Sequence, residues 1–127
     1  MSSTPPELLT CATDLLQIAS SEAQYRTVCS RAYYAAYHAA YDFHKKLPIP
    51  GSVGRANGQH EQLIEQLANP QIPSTHSKYK TSLALGKTMR GLLANRVTAD
   101  YKINATVDRI MAVSETTDAG MVIIKAV

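Results

Sequence analysis

The ten residues Arg-Ala-Tyr-Tyr-Ala-Ala-Tyr-His-Ala-Ala, Arg31 to Ala40, constrain the fold more than any other stretch of the chain. At 100° per residue they define a helix with two separate faces. Tyr25, Val28, Ala32, Ala35, Ala39 and Phe43 recur at steps of three and four and make an ordinary core stripe. Arg31, Tyr34, His38, Tyr41 and Lys45 recur at the same steps, well round the helix from the first set. This second stripe carries a guanidinium, an imidazole, an ammonium and two phenols, all able to hydrogen-bond a phosphate or a base. A solvated face has little use for so many tyrosines. The stripe therefore reads as an interface with another helix, another subunit or a ligand. Two such stripes are hard to bury in one small bundle, which predicts a homodimer.

The rest of the chain carries helix punctuation and little else. Thr4-Pro5-Pro6-Glu7 is a capping box with Pro at the first helical position, opening a helix through Leu8, Leu9, Ala12, Leu15, Leu16 and Ala19. Ser20 and Ser21 break it or cap the next helix, which runs from about Glu22 to Lys46 and is stopped by Pro48 and Pro50. Pro48 to Gly58 is a loop, and Gln59 to Ala68 a short amphipathic helix. Ser74 or Thr75 could cap a long helix to about Tyr101, with Tyr79, Leu83, Gly86, Arg90, Leu93 and Val97 facing inward. A final helix is predicted from Asn104 to about Val127, through Val107, Ile110, Met111, Val113 or Ser114, Met121 and Ile124. Val122-Ile123-Ile124 is too short to found a sheet. The predicted fold is all-α: an antiparallel four-helix bundle with an additional short helix, one domain over residues 1–127, with the second and fourth helices at its centre.

Composition narrows the function classes. The chain has a formal charge of +3, mildly basic, which permits nucleic-acid binding without requiring it. Its two cysteines, Cys11 and Cys29, fall at or near apolar helix positions and read as buried thiols. They lack the spacing of a zinc site, so neither a metal nor a cofactor is expected. The sequence offers no signal peptide and no apolar run near the roughly 20 residues of a membrane span, and a cytoplasmic protein without membrane association is expected. Gly51-Ser52-Val53-Gly54 is not a phosphate-binding loop, since no Lys-Ser/Thr follows it. No nucleophile elbow or paired carboxylates are present.

Arg31 and His38 stand seven residues apart, on one helix face and about 10 Å apart along the axis. They cannot touch, but a phosphate or a partner helix could lie between them. Arg31 could instead pair with a carboxylate, and His38 could bond a tyrosine or a backbone carbonyl. Arg90 falls on the inward stripe of its helix and, if buried, needs a partner; Glu22, Glu61, Asp14 and Asp42 are candidates. His60 and His76 lie at helix starts and read as exposed, although His60 could point into a shared cleft.

Ser30-Arg31-Ala32-Tyr33-Tyr34-Ala35-Ala36-Tyr37-His38-Ala39-Ala40 resembles the second-helix signature of HEPN domains (higher eukaryotes and prokaryotes nucleotide-binding). Leu92-Leu93-Ala94-Asn95-Arg96-Val97-Thr98-Ala99-Asp100-Tyr101 is similar to the Arg-x-x-Ala-Asp-Tyr segment of the same branch. The resemblance spans nearly the whole chain. It implies an RNA-binding protein or a metal-independent ribonuclease of a defence or toxin–antitoxin system, acting as a dimer. In that reaction a ribose 2′-hydroxyl attacks the adjacent phosphodiester, assisted by His while Arg holds the phosphate. The family motif is Arg, four to six residues, then His. Here Arg96 is followed by no His, and Asp100 stands roughly where it is expected. A carboxylate four residues from an arginine makes an ordinary helix-surface ion pair and is a poor general base. The candidate catalytic pair is accordingly His38 and Arg96, with Arg31, Tyr34, Asn95, Asp100 and Tyr101 as substrate-binding residues. Of these, Arg31, His38, Arg96 and Tyr101 are expected to border one cleft, between the second and fourth helices or across the dimer. The alternative is a non-catalytic HEPN module that binds a nucleotide or a partner protein, such as the minimal nucleotidyltransferase that the resemblance implies. Tyr101 would then be the nucleotidylation target.

Overall fold

Capping chemistry sets the first two helices. The computed structural model describes residues 3–127. Helix α1 spans Pro5–Ile18; its cap Thr4 accepts from the Glu7 amide while Glu7 Oε1 accepts from the Thr4 amide at 3.0 Å. Helix α2, Glu22–Lys45, has the same reciprocal box between Ser21 and Gln24. Helix α3, Gln59–Ala68, starts at Gly58, whose φ of 88° favours glycine. Helix α4 spans Tyr79–Tyr101, and helix α5, Arg109–Lys125, is capped by Asp108, which accepts from the Met111 amide at 3.0 Å. Among the described residues these five helices are joined by turns and loops, with no strand. The fold is an all-α helical bundle. No described helix is long and apolar enough to cross a membrane.

Helix α2 packs against all four other helices. Val28, Ala32, Ala35, Ala39 and Phe43 of its core stripe are buried, and Cys29, Tyr33, Ala36 and Ala40 extend the buried face. Five alanines on one helix let its neighbours approach closely, so α1 and α5 pack densely on it. Helix α3 lies on α4 through an equally close contact. A Cβ on Gly86 would sit 2.9 Å from the Ala68 amide nitrogen, and Ser82 Oγ donates to the Leu67 carbonyl at 2.8 Å.

The expected α4 stripe holds in part. Gly86 and Leu93 are buried as expected, with Ser82, Leu85, Met89 and Leu92 beside them, whereas Leu83 is exposed. Arg90 is exposed rather than inward, and its Nη2 donates to Glu65 Oε1 at 2.9 Å, a partner absent from the expected set. Helix α5 departs further: Ala112, Glu115, Thr116, Ala119 and Val122 face the core, while Ile110, Val113, Met121 and Ile124 face outward. Close packing through small residues outweighs burial of the larger apolar ones here. Cys11 is exposed, against expectation, and Cys29 is buried, its thiol pushed up to about 12 chiefly by that burial.

Two boundaries also move. Helix α4 begins at Tyr79, not Ser74 or Thr75, because His76 Nδ1 accepts from the Lys78 amide at 3.0 Å and holds the preceding residues in turns. Helix α5 begins at Arg109, not Asn104, because the segment before it is bound to α2. Arg26 donates to the carbonyls of Thr98 and Ala99 at 3.0 Å, Lys102 at 3.2 Å, and Ala105. Glu22 pairs with Arg26 Nε at 3.1 Å, and its other oxygen accepts from the Val107 amide at 3.0 Å. The Val107 amide and then Arg26 hold the Glu22 carboxyl below the usual range.

Arg26→Ala removes donors from four carbonyls at once, and unfolding should become easier by about 2–4 kcal/mol. Arg26→Lys should recover only part of this, since an ammonium cannot span the same acceptors. Urea melts of the three proteins measure the effect; a loss below about 1 kcal/mol for the alanine variant would contradict it.

Candidate functional site

The Arg26 clamp lays the last two turns of α4 beside the first half of α2. Arg96 of α4 thereby meets Tyr33 and Tyr34 of α2, with Tyr101 of its own helix on the same guanidinium. The Arg96 guanidinium carbon lies 5.9 Å from the Tyr33 ring centre, 5.7 Å from Tyr34 and 5.4 Å from Tyr101. Three aromatic rings within cation–π range hold one cation whose side chain is only 14 % exposed. Its Nε sits 2.9 Å from Asp100 Oδ2, an ion pair one helical turn long. The contact is not aligned as a hydrogen bond, and among the described residues no protein acceptor bonds either Nη. Asp100 also accepts from Ser30 Oγ at 3.3 Å, tying the pair to α2.

Next to this cation opens a cleft of about 520 Å³ between α2 and α4, lined by Ser30, Arg31, Tyr34 and Asp100 among others. Tyr34 belongs to both features. Its ring faces Arg96, and it borders the cleft into which Arg31 is exposed.

On the other side the cluster reaches α3. The Tyr33 hydroxyl lies 2.7 Å from His60 Nδ1, and the His60 ring is 4.4 Å from that of Tyr37. Burial, assisted by the Arg96 charge and opposed by Glu61, lowers the His60 pKa from its ordinary value. Burial raises that of Tyr33. Both shifts favour a neutral imidazole accepting from a protonated phenol, which leaves Nε2 as the free ring nitrogen.

The expected site residues therefore divide. Arg31, Tyr34 and Asp100 share the cleft, and Arg96 and Tyr101 adjoin it through the tyrosine cradle. His38 is exposed and stacks with Tyr34 at 6.4 Å, but it lines a separate groove of about 380 Å³ between α2 and α3, with Tyr37, Tyr41, Gln59 and Gln62. Asn95 faces elsewhere: its Nδ2 donates to Glu115 Oε1 of α5 at 3.0 Å. Tyr33, His60 and Tyr37 were not among the expected site residues. The glycine before Gln59-His60, which starts α3, was the signal that could have placed His60 there.

Neither a family model, nor a curated protein, nor a solved structure matches this chain.

Glu115 is fully buried, with Oε2 unpartnered, and burial raises its pKa from 4.5 to about 8 despite the Asn95 bond. The folded state thus holds this proton more tightly than the unfolded chain. The stabilisation is fully present below about pH 4.5 and lost as pH rises to about 8, a few kcal/mol at about 1.4 kcal/mol per pKa unit. Glu115→Gln should flatten the stability profile between pH 5 and 8 and be the more stable protein at pH 9. Parallel profiles for the two proteins in thermal melts would contradict this.

Proposed function

We propose that the chain is a HEPN-like RNA-binding protein, in which Arg96 holds a backbone phosphate at the cleft between α2 and α4. The observation that carries the reading is the guanidinium fixed between Tyr33, Tyr34 and Tyr101, with no hydrogen bond from its Nη edge to any of the described residues. A pre-ordered guanidinium loses little entropy on meeting a phosphate, and Arg31 in the adjoining cleft supplies a second cation for the next one. Exposed rings of Tyr34 and Tyr101 are suited to stacking against unpaired bases. With the HEPN reading goes an arrangement of four antiparallel long helices plus the short α3, and a dimer.

Strand cleavage would require an imidazole near that phosphate. His38 reaches Arg96 through a stacked Tyr34, and His60 through a hydrogen-bonded Tyr33, close enough for the Arg96 charge to act on its imidazole. If the protein cuts RNA without metal, His60 is the better placed imidazole, its Nε2–H donating to the phosphate while Nδ1 accepts from Tyr33. A second reading is favoured by Asp100, which balances the Arg96 charge and repels a phosphate. In that reading the module is non-catalytic and binds a nucleotide or a protein such as a minimal nucleotidyltransferase, and Tyr101, 65 % exposed, is accessible for nucleotidylation.

Fluorescence anisotropy with a labelled single-stranded RNA across a salt series separates the readings. Arg96→Ala should weaken binding about tenfold and reduce the salt slope by about one counterion, and Asp100→Asn should tighten it. Equal binding by wild type and Arg96→Ala would favour the second reading. Total RNA incubated in EDTA tests cleavage: His60→Ala should abolish product that His38→Ala leaves intact.

A further inference from the structure

Gln59, Gln62 and Gln66 recur at steps of three and four and so share one face of α3. Because α3 rests on α4 through Ser82 and Gly86, that face stands off from α2 and becomes one wall of the groove of about 380 Å³. Tyr37, His38 and Tyr41 of α2 make the other wall, and buried Leu63 also lines it. Among the described residues no Arg, Lys, Asp or Glu lines the groove. His44, at its edge, is a neutral imidazole: its Nε2 accepts from the Gly51 amide at 3.0 Å, and burial lowers its pKa. Flat rings facing uncharged carboxamides suit a planar, neutral ligand with hydrogen-bonding edges.

We propose that this groove binds an unpaired adenine base, stacked against the exposed ring of Tyr41 and read by Gln62 and Gln66. The two carboxamides stand one turn apart and are differently committed. Gln62 Nε2 donates to the Ala56 carbonyl at 3.4 Å, which sets its amide and leaves Oε1 as an acceptor. Gln66 is half-buried, and among the described residues its carboxamide has no partner, so it offers a donor and an acceptor side by side. Adenine answers both. Its N7 accepts from Gln66 Nε2, one N6 hydrogen goes to Gln66 Oε1, and the other goes to Gln62 Oε1. The other bases fit less well. Guanine and hypoxanthine set a carbonyl oxygen against Gln62 Oε1. Guanine is commonly read by Arg or Lys and the cytosine amine by a carboxylate, and neither lines the groove. Uracil has no exocyclic amine and a smaller ring to stack.

A single-stranded RNA and a free adenine nucleotide both present such a base, and the fold favours the strand. Tyr34 faces Arg96 at 5.7 Å and stacks with His38 at 6.4 Å, and His38 lines the groove. A strand whose phosphate meets Arg96 therefore crosses this ridge and lays a neighbouring base in the groove. The phosphates of a free nucleotide would find no Arg or Lys among the residues that line it. Placing the base on a strand rests on the RNA reading above; the preference of the groove for adenine does not.

Adenosine, which carries no phosphate, probes the groove apart from Arg96. Titrated into the isotope-labelled full chain, it should give saturable NMR shifts of the Gln62 and Gln66 side-chain amides, with inosine binding at least about tenfold more weakly. Gln66→Ala and Tyr41→Ala should each lose most of this response. Far-UV circular dichroism should not change, because Tyr41 is exposed and the Gln66 carboxamide holds no partner among the described residues. Fluorescence anisotropy then compares a uridine hexamer with one carrying a single internal adenine. Wild type should prefer the adenine-bearing strand about tenfold. Gln66→Ala should bind both equally with the salt slope intact, whereas Arg96→Ala should lower the slope and keep the preference. Adenosine binding without preference between the strands would support the adenine groove and overturn the strand as its source. Adenosine binding with neither hexamer bound would support the groove and overturn the RNA reading alone. No adenosine shifts at those amides, inosine binding equally well, or a polyproline peptide shifting them in adenosine's place would overturn the proposal.

Discussion

The Arg26 guanidinium is the contact on which the rest of the site depends. The last carbonyls of a helix have no partner within the helix and carry the negative end of its dipole. At the end of α4 that need is met by a cation from α2, which spans four carbonyls on both sides of the helix terminus. Glu22 orients Arg26 and also takes the Val107 amide, so one ion pair fixes the end of α4 and the whole link to α5. The Ser30–Asp100 bond and the apolar cluster of Val28, Cys29, Ala99 and Val107 reinforce the same placement of Arg96 against Tyr33 and Tyr34. A pairing written within one turn of α2 thus determines the geometry of residues some seventy positions later.

Local signals made much of this architecture legible. The capping box at Thr4, the prolines after Lys46 and the glycine before Gln59 are decided by backbone chemistry within a few residues, and the helices begin or end there. The core stripe of α2 was equally legible, because its alanines leave little else for that face to do. The faces of α4 and α5 were legible only in part. Gly86 and Leu93 of the expected α4 stripe are buried, whereas Leu83 and Arg90, placed inward by helical spacing alone, are exposed. On α5 the core is met by Ala112 and Ala119, where a close backbone approach matters more than the size of the side chain.

The site was legible in part, and the division follows the range of the interactions. Arg31, Tyr34 and His38 belong to one helix face, as helical spacing requires, yet the bulk of Tyr34 places His38 in a different groove from Arg31. Arg96 and Asp100 pair across one turn, which spacing alone foretells. The Tyr33–His60 contact joins residues 27 positions apart on two helices; the glycine before Gln59 hinted that His60 could turn inward, but nothing in either segment names Tyr33 as its partner. Asn95 was drawn to the site by its neighbour Arg96, but one residue is 100° on a helix, and its amide meets Glu115 instead.

The cluster also shows how one arginine can be both held and available. The tyrosine rings stabilise the cation through their faces and leave its edges free; Asp100 takes the Nε edge and the Nη edge remains. A phosphate meeting that edge would complete the coordination that the protein leaves open. A crystal structure of the protein with a short single-stranded RNA tests this most directly. The account predicts a phosphate oxygen within about 3 Å of an Arg96 Nη, with a base against Tyr34 or Tyr101. RNA ordered on another face, with Arg96 still bonded only to Asp100, would contradict it.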